Sequence, residues 1–505
     1  MTIIYENNPF PPEPFGSELD YMEFFRDLYE GNHAEIFPRA KTIGNETSID
    51  KAAINRAKYR YLRDLKKKHA EKNAVNHYVV INFASAIAEL PADLINRSLG
   101  NISADEEDSK EYLEFISQIA KTSKVKSNLW SAIVQQQVDG AIAYRIRRNK
   151  RRGTWFEWLL ADLYFEHDDE FGADIAWTED REDETFLRVE RQRLVDGGLE
   201  LTQHVFEMKG SSIKYEKDFR EYASLYGILE EPSLLVSDLD ELMCGIVTND
   251  ETLRHTRGRS GLRNIVEMQE EINWTITRDS VVFEKHGKPK LAIPRQLWDS
   301  VANKNNQNYG GRFVRNADLE VVSYDESKGA IPMYITWNAQ TEQSFKHVAR
   351  LIDYIMATSK TAATAVGLGS AGGTLSAKAI LYEWIQSVIK AEAIRDKFDE
   401  TLKDALRKCV LLENAISASD YEAKDPVIEW KDMLPKAEAE TGEEESKKYA
   451  DGVQSLETTV RNIHPDWSEK AIAEEVEKIQ NEKAVDTLNP TFTQPPRTTI
   501  GDDEQ

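Results

Sequence analysis

The stretch from Gln343 to Leu412 constrains the rest of the chain more than any other. Its first part, QSFKHVARLIDYIM, puts Phe345, Val348, Leu351, Ile352, Ile355 and Met356 on one side of a helix. A small-residue interruption, TSKTAATAVGLGSAGG, follows. Then Ile380, Leu381, Trp384, Ile385, Val388, Ile389, Ile394, Phe398, Leu402, Leu406 and Val410 hold a second helical period, past the roughly 25 residues at which a single globular helix becomes unusual. Two long helices joined by a flexible, nearly uncharged loop point to a spine in a large assembly rather than to a catalytic pocket. The same patterns also describe two ordinary core helices, and periodicity alone leaves both open.

The chain has 505 residues, room for three or four domains. Its 88 acidic against 64 basic residues give a formal net charge of -24. That balance argues against gripping nucleic acid electrostatically, though not against a surface along which DNA slides. Cys244 and Cys409 supply neither a metal cluster nor a disulfide scaffold and read as reduced core thiols, so a reducing compartment of synthesis is expected. The start, MTIIYENNPFPPEPFGSELD, lacks the basic-then-apolar order of a secretory signal, and no run is long enough to span a bilayer. A soluble polypeptide is expected.

Pro9, Pro11, Pro12 and Pro14 predict extended chain until an amphipathic run from Tyr21 to Tyr29, with the domain proper beginning later. Asn55 to His69 is rich in Arg, Lys and Tyr. Val79, Ile81, Phe83, Ile87 and Leu90 then predict strand or short helix leading into helix, with Pro91 breaking the pattern and the element ending at Gly100. After an acidic loop, helices are expected over Glu111 to Ala120 and Leu129 to Tyr144, the latter with Leu129, Ile133 and Ala141 inward. From Tyr144 to Glu207 the period becomes that of β-hairpins, with a turn at Asp196-Gly197-Gly198. The densest basic run, Arg145, Arg147, Arg148, Lys150, Arg151 and Arg152, reads as a DNA contact, a solvated turn or a subunit contact with an acidic neighbour.

Residues Thr248 to Gly261 are a connection. From Leu262, the positions Ile265, Val266, Ile272, Ile276 and Val281 predict a helix running out near Lys285 to Pro289. Strands are expected from Leu319 to Tyr324 and from Met333 to Trp337, too few to stand alone. A small β-rich module thus lies between two helices, a topology that leaves it at a tip. Val427 to Trp430 reads as a strand closed by Pro435, and Glu438 to Lys448 as a solvated helix or loop. Asp466 with Glu469 suits a capping box before a helix whose buried stripe is Ile472, Val476 and Ile479. Thr487 to Gln505 is expected to be disordered. The fold class is α+β.

Motifs for chemistry are sparse. The glycine-rich GLGSAGGT at 367 to 374 lacks the Lys-Ser or Lys-Thr pair of a phosphate loop and follows a helix rather than a strand. No HExxH occurs, and His77, His204 and His347 have no ligand-type neighbours at metal spacing. Asp299, Asp318 and Asp325 are the carboxylates to consider around Mg²⁺ in a nuclease. Nothing forces them together, so neither enzymatic activity nor a cofactor is expected.

The order of several segments resembles one family. These are NFASAIAELPADLINRSLG at 82 to 100, GLRNIVEMQEEINWTITRDSVVFEKHGKPKLAIP at 261 to 294, and GRFVRNADLEVVSYDESKGAIPMYITWNAQTEQSFKHVARLIDYIM at 311 to 356. SAGGTLSAKAIL, VIEWKDMLP and SLETTVRNIHPDW follow. Together they resemble the portal proteins of tailed bacteriophages, of the siphophage type with about five hundred residues. The usual Ser-Gly before the longest helix is here spread into SAGG.

The resemblance implies a wing (1–260), a stem (261–290 and 341–358), a clip (291–340) and a tunnel loop (359–371). A long wing helix with a wing strand (372–435) and a crown with its tail (436–505) complete it. It implies a cyclic homo-oligomer, twelve subunits in the virion, at one capsid vertex and assembled in the host cytoplasm. Double-stranded DNA driven by the terminase large subunit would pass through, and the ring would contact head-completion or adaptor, major capsid and scaffolding proteins, with no membrane, cofactor or metal. On this chain, Lys360, Thr361, Thr364, Val366, Leu368 and Gly369 would line the channel, and Tyr334, Trp337 and Arg312 would make the clip's protein contacts. The alternatives are another ring or connector protein of a virion, a metal-dependent nucleic-acid-processing enzyme, and a cellular adaptor.

Overall fold

Alternation of apolar and polar residues builds the largest sheet, whose strands run in the order β4 (Tyr164–Glu166), β5 (Gly172–Arg181), β6 (Glu184–Val195), β7 (Gly198–Lys209) and β8 (Ser212–Glu216). β9 (Ser233–Ser237) also pairs with β7, antiparallel like its neighbours. The computed structural model describes residues 3–13, 15–40, 78–104, 110–181, 184–218, 233–286, 290–294, 320–324, 333–335, 341–368, 377–417, 419–434, 438–464, 467 and 469–488. They form a mixed architecture of helices and open sheets in two units, Met1–Met433 and Leu434–Gln505. The Asp196-Gly197-Gly198 hairpin occurs as the sequence predicts, with positive φ at both glycines. A side chain on Gly198 would meet the Val236 carbonyl at 2.1 Å, so β9 can lie this close only to a glycine.

One face of this sheet buries Phe165, Leu187, Val189, Phe206 and Met208 against Ile4 and Phe15. The domain therefore does not begin after the prolines, as the sequence suggests. The first residues complete its core, pinned by backbone hydrogen bonds from Asn7 and Phe10 to Ile213 and Ser211, and helix α1 (Phe15–Glu30) continues from them. A short α2 (His33–Ile36) follows. The prolines set local extension, but Ile4 and Phe10 decide where that extended chain packs.

Helix α3 (Phe83–Ser98) passes through Pro91 rather than breaking there. The ring costs one backbone bond in mid-helix, and the Asn82 cap on Ser85 N–H and a deeply buried apolar face offset it. Strand β1 (Leu99–Ser103) leaves α3 and pairs antiparallel with the predicted strand at 427–430, here β14 (Val427–Trp430). Helix α4 (Lys110–Thr122) is as expected, but α5 (Val125–Asp139) stops five residues before Tyr144. Gly140 takes φ +91 and caps α5, and a side chain there would strike the Arg259 backbone at 2.6 Å. The basic run belongs to β2 (Ala141–Asn149) and the turn into β3 (Gly153–Leu160), in a three-stranded sheet completed by β10 (Cys244–Thr248). Arg145, Arg147 and Arg148 are ion-paired within the chain, so that part of the run is not a solvated turn. Cys244 and Cys409 are both buried and free, as expected.

Helix α6 (Val266–His286) and helix α7 (Thr341–Ser359) pack on each other. Between them in sequence lies a sheet of β12 (Glu320–Tyr324), β11 (Lys290–Pro294) and β13 (Met333–Ile335). The sequence pattern shows the outer two only. Lys290–Pro294, bracketed by prolines, is the central strand, parallel to β12 and antiparallel to β13, so the pairing is internal to the chain. Helix α8 (Ala377–Ser417), 41 residues long, is the long helix that the sequence predicts.

The second unit consists of α9 (Glu438–Ala450), α10 (Leu456–Ile463) and α11 (Glu469–Leu488). Ile472 is buried as expected, whereas Val476 and Ile479 are half-buried. The acidic helix is not simply solvated. Glu445 is buried and accepts hydrogen bonds from Lys448, Asn462 and Gln454, which hold its carboxyl at about 2. Residues 55–69, Asp466 and 489–505 lie outside the described residues.

Candidate functional site

The candidate site is the turn between α7 and α8 with the helical surfaces beside it. Helix α7 ends in a Schellman motif: Lys360 takes φ +55, its N–H donates to Ala357 O at 3.3 Å, and Thr361 N–H donates to Met356 O at 2.9 Å. Lysine stands where glycine is usual, at a cost of roughly 1 kcal/mol. Ala363–Val366 then makes a 3₁₀ turn closed by Gly367 at φ +79.

This turn is tied to α8 rather than free. Ala362 N–H donates to Ser387 Oγ at 2.7 Å, and Ser387 Oγ donates to Lys360 O at 3.2 Å. Trp384 Nε1 donates to Thr364 Oγ1 at 3.0 Å, and Lys390 Nζ donates to Ser359 O at 3.2 Å. Trp384, Ser387 and Lys390 are three residues apart, so all three face the turn. Burial, with Lys360 nearby as a second cause, pushes the Lys390 ammonium down to about 8. The small side chains that read as flexibility in sequence are what let the backbone approach the helix closely enough to be held.

Of the residues expected to line a channel, Lys360 and Leu368 are exposed, Thr364 and Val366 half-buried, and Thr361 buried. Gly369 lies outside the described residues, as do Arg312 and Trp337. Tyr334 sits in β13 opposite Leu291, with its side chain also outside them. Asp299, Asp318 and Asp325 are outside as well. Among the described residues no group of three or more His, Cys, Asp or Glu side chains is placed to hold a metal ion, and no helix is long and apolar enough to cross a membrane.

Large apolar side chains of both helices stand in solvent. Phe345 and Tyr354 on α7 are 57% and 59% exposed, and Tyr382 and Ile389 on α8 are 75% and 52% exposed. Phe283 of α6 stacks on Phe345 with ring centroids 6.4 Å apart. Exposed side chains of this size are what a contact with another protein covers.

Helix α6 buries a polar stripe that apolar periodicity does not reveal. Gln269, Asn273 and Thr277, at i, i+4 and i+8, accept hydrogen bonds from the N–H groups of Phe83, Ile81 and Val79 at 3.1, 3.1 and 2.9 Å. Gln269 Nε2 returns a bond to Ile81 O at 2.7 Å. Asn273 Nδ2 lies 2.8 Å from His33 Nδ1, whose other nitrogen is 2.8 Å from Leu28 O. A neutral His33 with its proton on Nε2 satisfies both contacts, and burial pushes its pKa down. Amides spaced at i, i+4 are the signal that would have found this stripe.

Residues 298–487 match the family described as phage portal protein, SPP1 Gp6-like. The match covers α7, the turn, α8 and most of the second unit, less than half of the chain. Comparison with curated proteins gives no match. What the family match supports, over 298–487, is general: a structural role of portal type in an oligomeric, virion-associated assembly.

Proposed function

We propose that this chain is the portal subunit of a tailed phage, twelve copies forming a ring at one capsid vertex through which the terminase large subunit drives double-stranded DNA. The observation that carries this reading is the set of large exposed apolar residues on α7 and α8 inside the family-matched region, side chains that a closed ring of identical copies would cover. In this reading 1–260 with the long helix and β14 is the wing, 261–290 with 341–358 the stem, 291–340 the clip, and 436 onward the crown. The clip, through Tyr334, Trp337 and Arg312, receives head-completion proteins. Contacts with major capsid and scaffolding proteins lie on the outside.

The turn and its continuation, 359–371, face the axis. A formal charge of -24 suits a wall that repels phosphates evenly, because every tight phosphate contact would have to be broken at each step of translocation. Lys360 then offers each subunit one exchangeable, sequence-independent phosphate contact.

Sedimentation and negative-stain imaging of the purified protein test the reading. A closed ring with a central channel is expected, and its loss in a Tyr382→Asp, Ile389→Asp variant whose melting is unchanged. A 57.7 kDa monomer at all protein concentrations would overturn it.

A further inference from the structure

The amide row of α6 ends on His33, and the direction of each hydrogen bond in it is fixed by the chain. Gln269 is clamped at two points: its Oε1 accepts from Phe83 N–H at 3.1 Å, and its Nε2 donates to Ile81 O at 2.7 Å. The second N–H of that amide donates to Asn273 Oδ1 at 3.1 Å, which also accepts from Ile81 N–H at 3.1 Å. Asn273 is thereby turned with Nδ2 toward His33, 2.8 Å from Nδ1. Nδ1 must offer a lone pair, and Nε2 carries the proton that reaches Leu28 O at 2.8 Å. His33, Gln269 and Asn273 have no exposed surface, so bulk water does not reach the row.

This circuit has no place for a second proton. On Nδ1 it would point at an N–H of Asn273, and the amide cannot turn over to meet it. Turned, its NH₂ would face the N–H of Ile81 and the NH₂ of Gln269, both of them donors. Charged groups on the surrounding elements are engaged elsewhere. On α1, Asp27 and Glu30 accept from Asn32 at 2.9 and 3.3 Å, and Tyr29 donates to Glu89 of α3 at 3.0 Å. On α2, Glu35 is exposed. On α6, Glu270 accepts from Arg39 N–H at 3.4 Å, and Glu271 pairs with the Arg39 guanidinium and lies 3.9 Å from the exposed His347. Tyr78, pushed up to about 12 by burial, stays neutral.

We infer that His33 is an acid-released latch: neutral, it joins α2 to α6 and completes the row that anchors residues 79–83; protonated, it opens the row and lets 79–83 leave α6 while the large sheet stays folded. Residues 78–82 belong to no helix or strand, so the row is what fixes the N–H groups of Val79 and Ile81. Opened to water, the ring titrates near its ordinary 6.5, whereas burial holds the closed ring below that value. The closed form therefore binds fewer protons than the open one. The latch is fully engaged above about 6.5 and weakens as pH falls from there. It lies within one chain and operates whether or not copies form a ring.

Hydrogen exchange of the full-length protein at pH 7.5 and pH 5, corrected for intrinsic rates, tests the latch. Protection across 79–83 should fall by up to about thirtyfold between them, the limit for a ring that titrates near 6.5 when open and not at all when closed, while β5, β6 and β7 keep theirs. His33→Gln retains one donor and one acceptor without a titrating group, and should hold protection of 79–83 level over the same range. Asn273→Asp gives the ring a carboxylate to receive the second proton, so the fall should shrink there; this variant decides the matter should His33→Gln not fold. No fall in the parent, an equal fall in whichever variant folds, or an equal fall across β5, β6 and β7 would each overturn the inference.

Discussion

The two ends of the long helix carry the same kind of apolar repeat and use it differently. From Ala391 to Val410 the repeat is core: Ala391, Phe398, Leu402, Leu406 and Val410 have no exposed surface, Phe398 meets Trp158, and Tyr144 and Trp430 donate to Asp404 and Asp399. From Tyr382 to Ile389 the repeat continues, yet Tyr382, Ile385 and Ile389 stand in solvent, and on the other side of the helix Trp384 and Ser387 hold the turn. Periodicity says that a face must be covered; it does not say whether the cover comes from the same chain.

The largest test of this contrast is a truncation at each end. Phe398→Ala should cost about 3–5 kcal/mol of stability in urea denaturation, through the cavity it leaves. Ile389→Ala in the dissociated chain should fall within about 0.5 kcal/mol of the parent. Similar losses at both positions would abolish the distinction.

A smaller effect is expected at the boundary. Ser387→Ala leaves the Ala362 N–H buried without an acceptor and frees Lys360 O, a local loss of about 1–3 kcal/mol. Hydrogen exchange should accelerate across 359–366 while the rest of α8 keeps its protection. Equal acceleration along the whole helix would mean that the two ends are one cooperative piece.

The smallest effect concerns Lys390, between the two ends. Its pKa is about 8 in the folded chain against an ordinary 10.5, so from pH 8 to 10.5 the unfolded chain binds more protons and stability rises with pH. Below about 8 the cost of the buried charge is fully present. Protection of 359–366, corrected for intrinsic exchange, should therefore increase between these values in the parent and stay flat in Lys390→Met. A parallel rise in both would place the titration elsewhere.

The sequence shows the long helix, both helices preceding it, the hairpins and the strand Val427–Trp430 because each is written in one local repeat. What it conceals depends on pairs distant in sequence. Residues 359–366 look mobile until Ser387 and Trp384 are seen beside them. Arg145 to Arg148 look like a free basic patch until Glu157, Glu190 and Glu413 arrive from other elements. Lys290–Pro294 is too short and too bracketed by proline to read as a strand, yet two neighbours supply its pairing.

The amide stripe of α6 has a mechanical consequence. An oily contact between a helix and its support tolerates slippage, because atoms that lose one neighbour slide onto another. The rungs from Gln269, Asn273 and Thr277 to the backbone of 79–83 cannot slide: displacement by even one residue, about 1.5 Å, would strain every rung together. A pull along α6 is therefore opposed by all three rungs at once and passes through them to the backbone of 79–83 and the helix that starts there. This stripe, the least hydrophobic part of the helix's buried face, is the part that keeps its register under load.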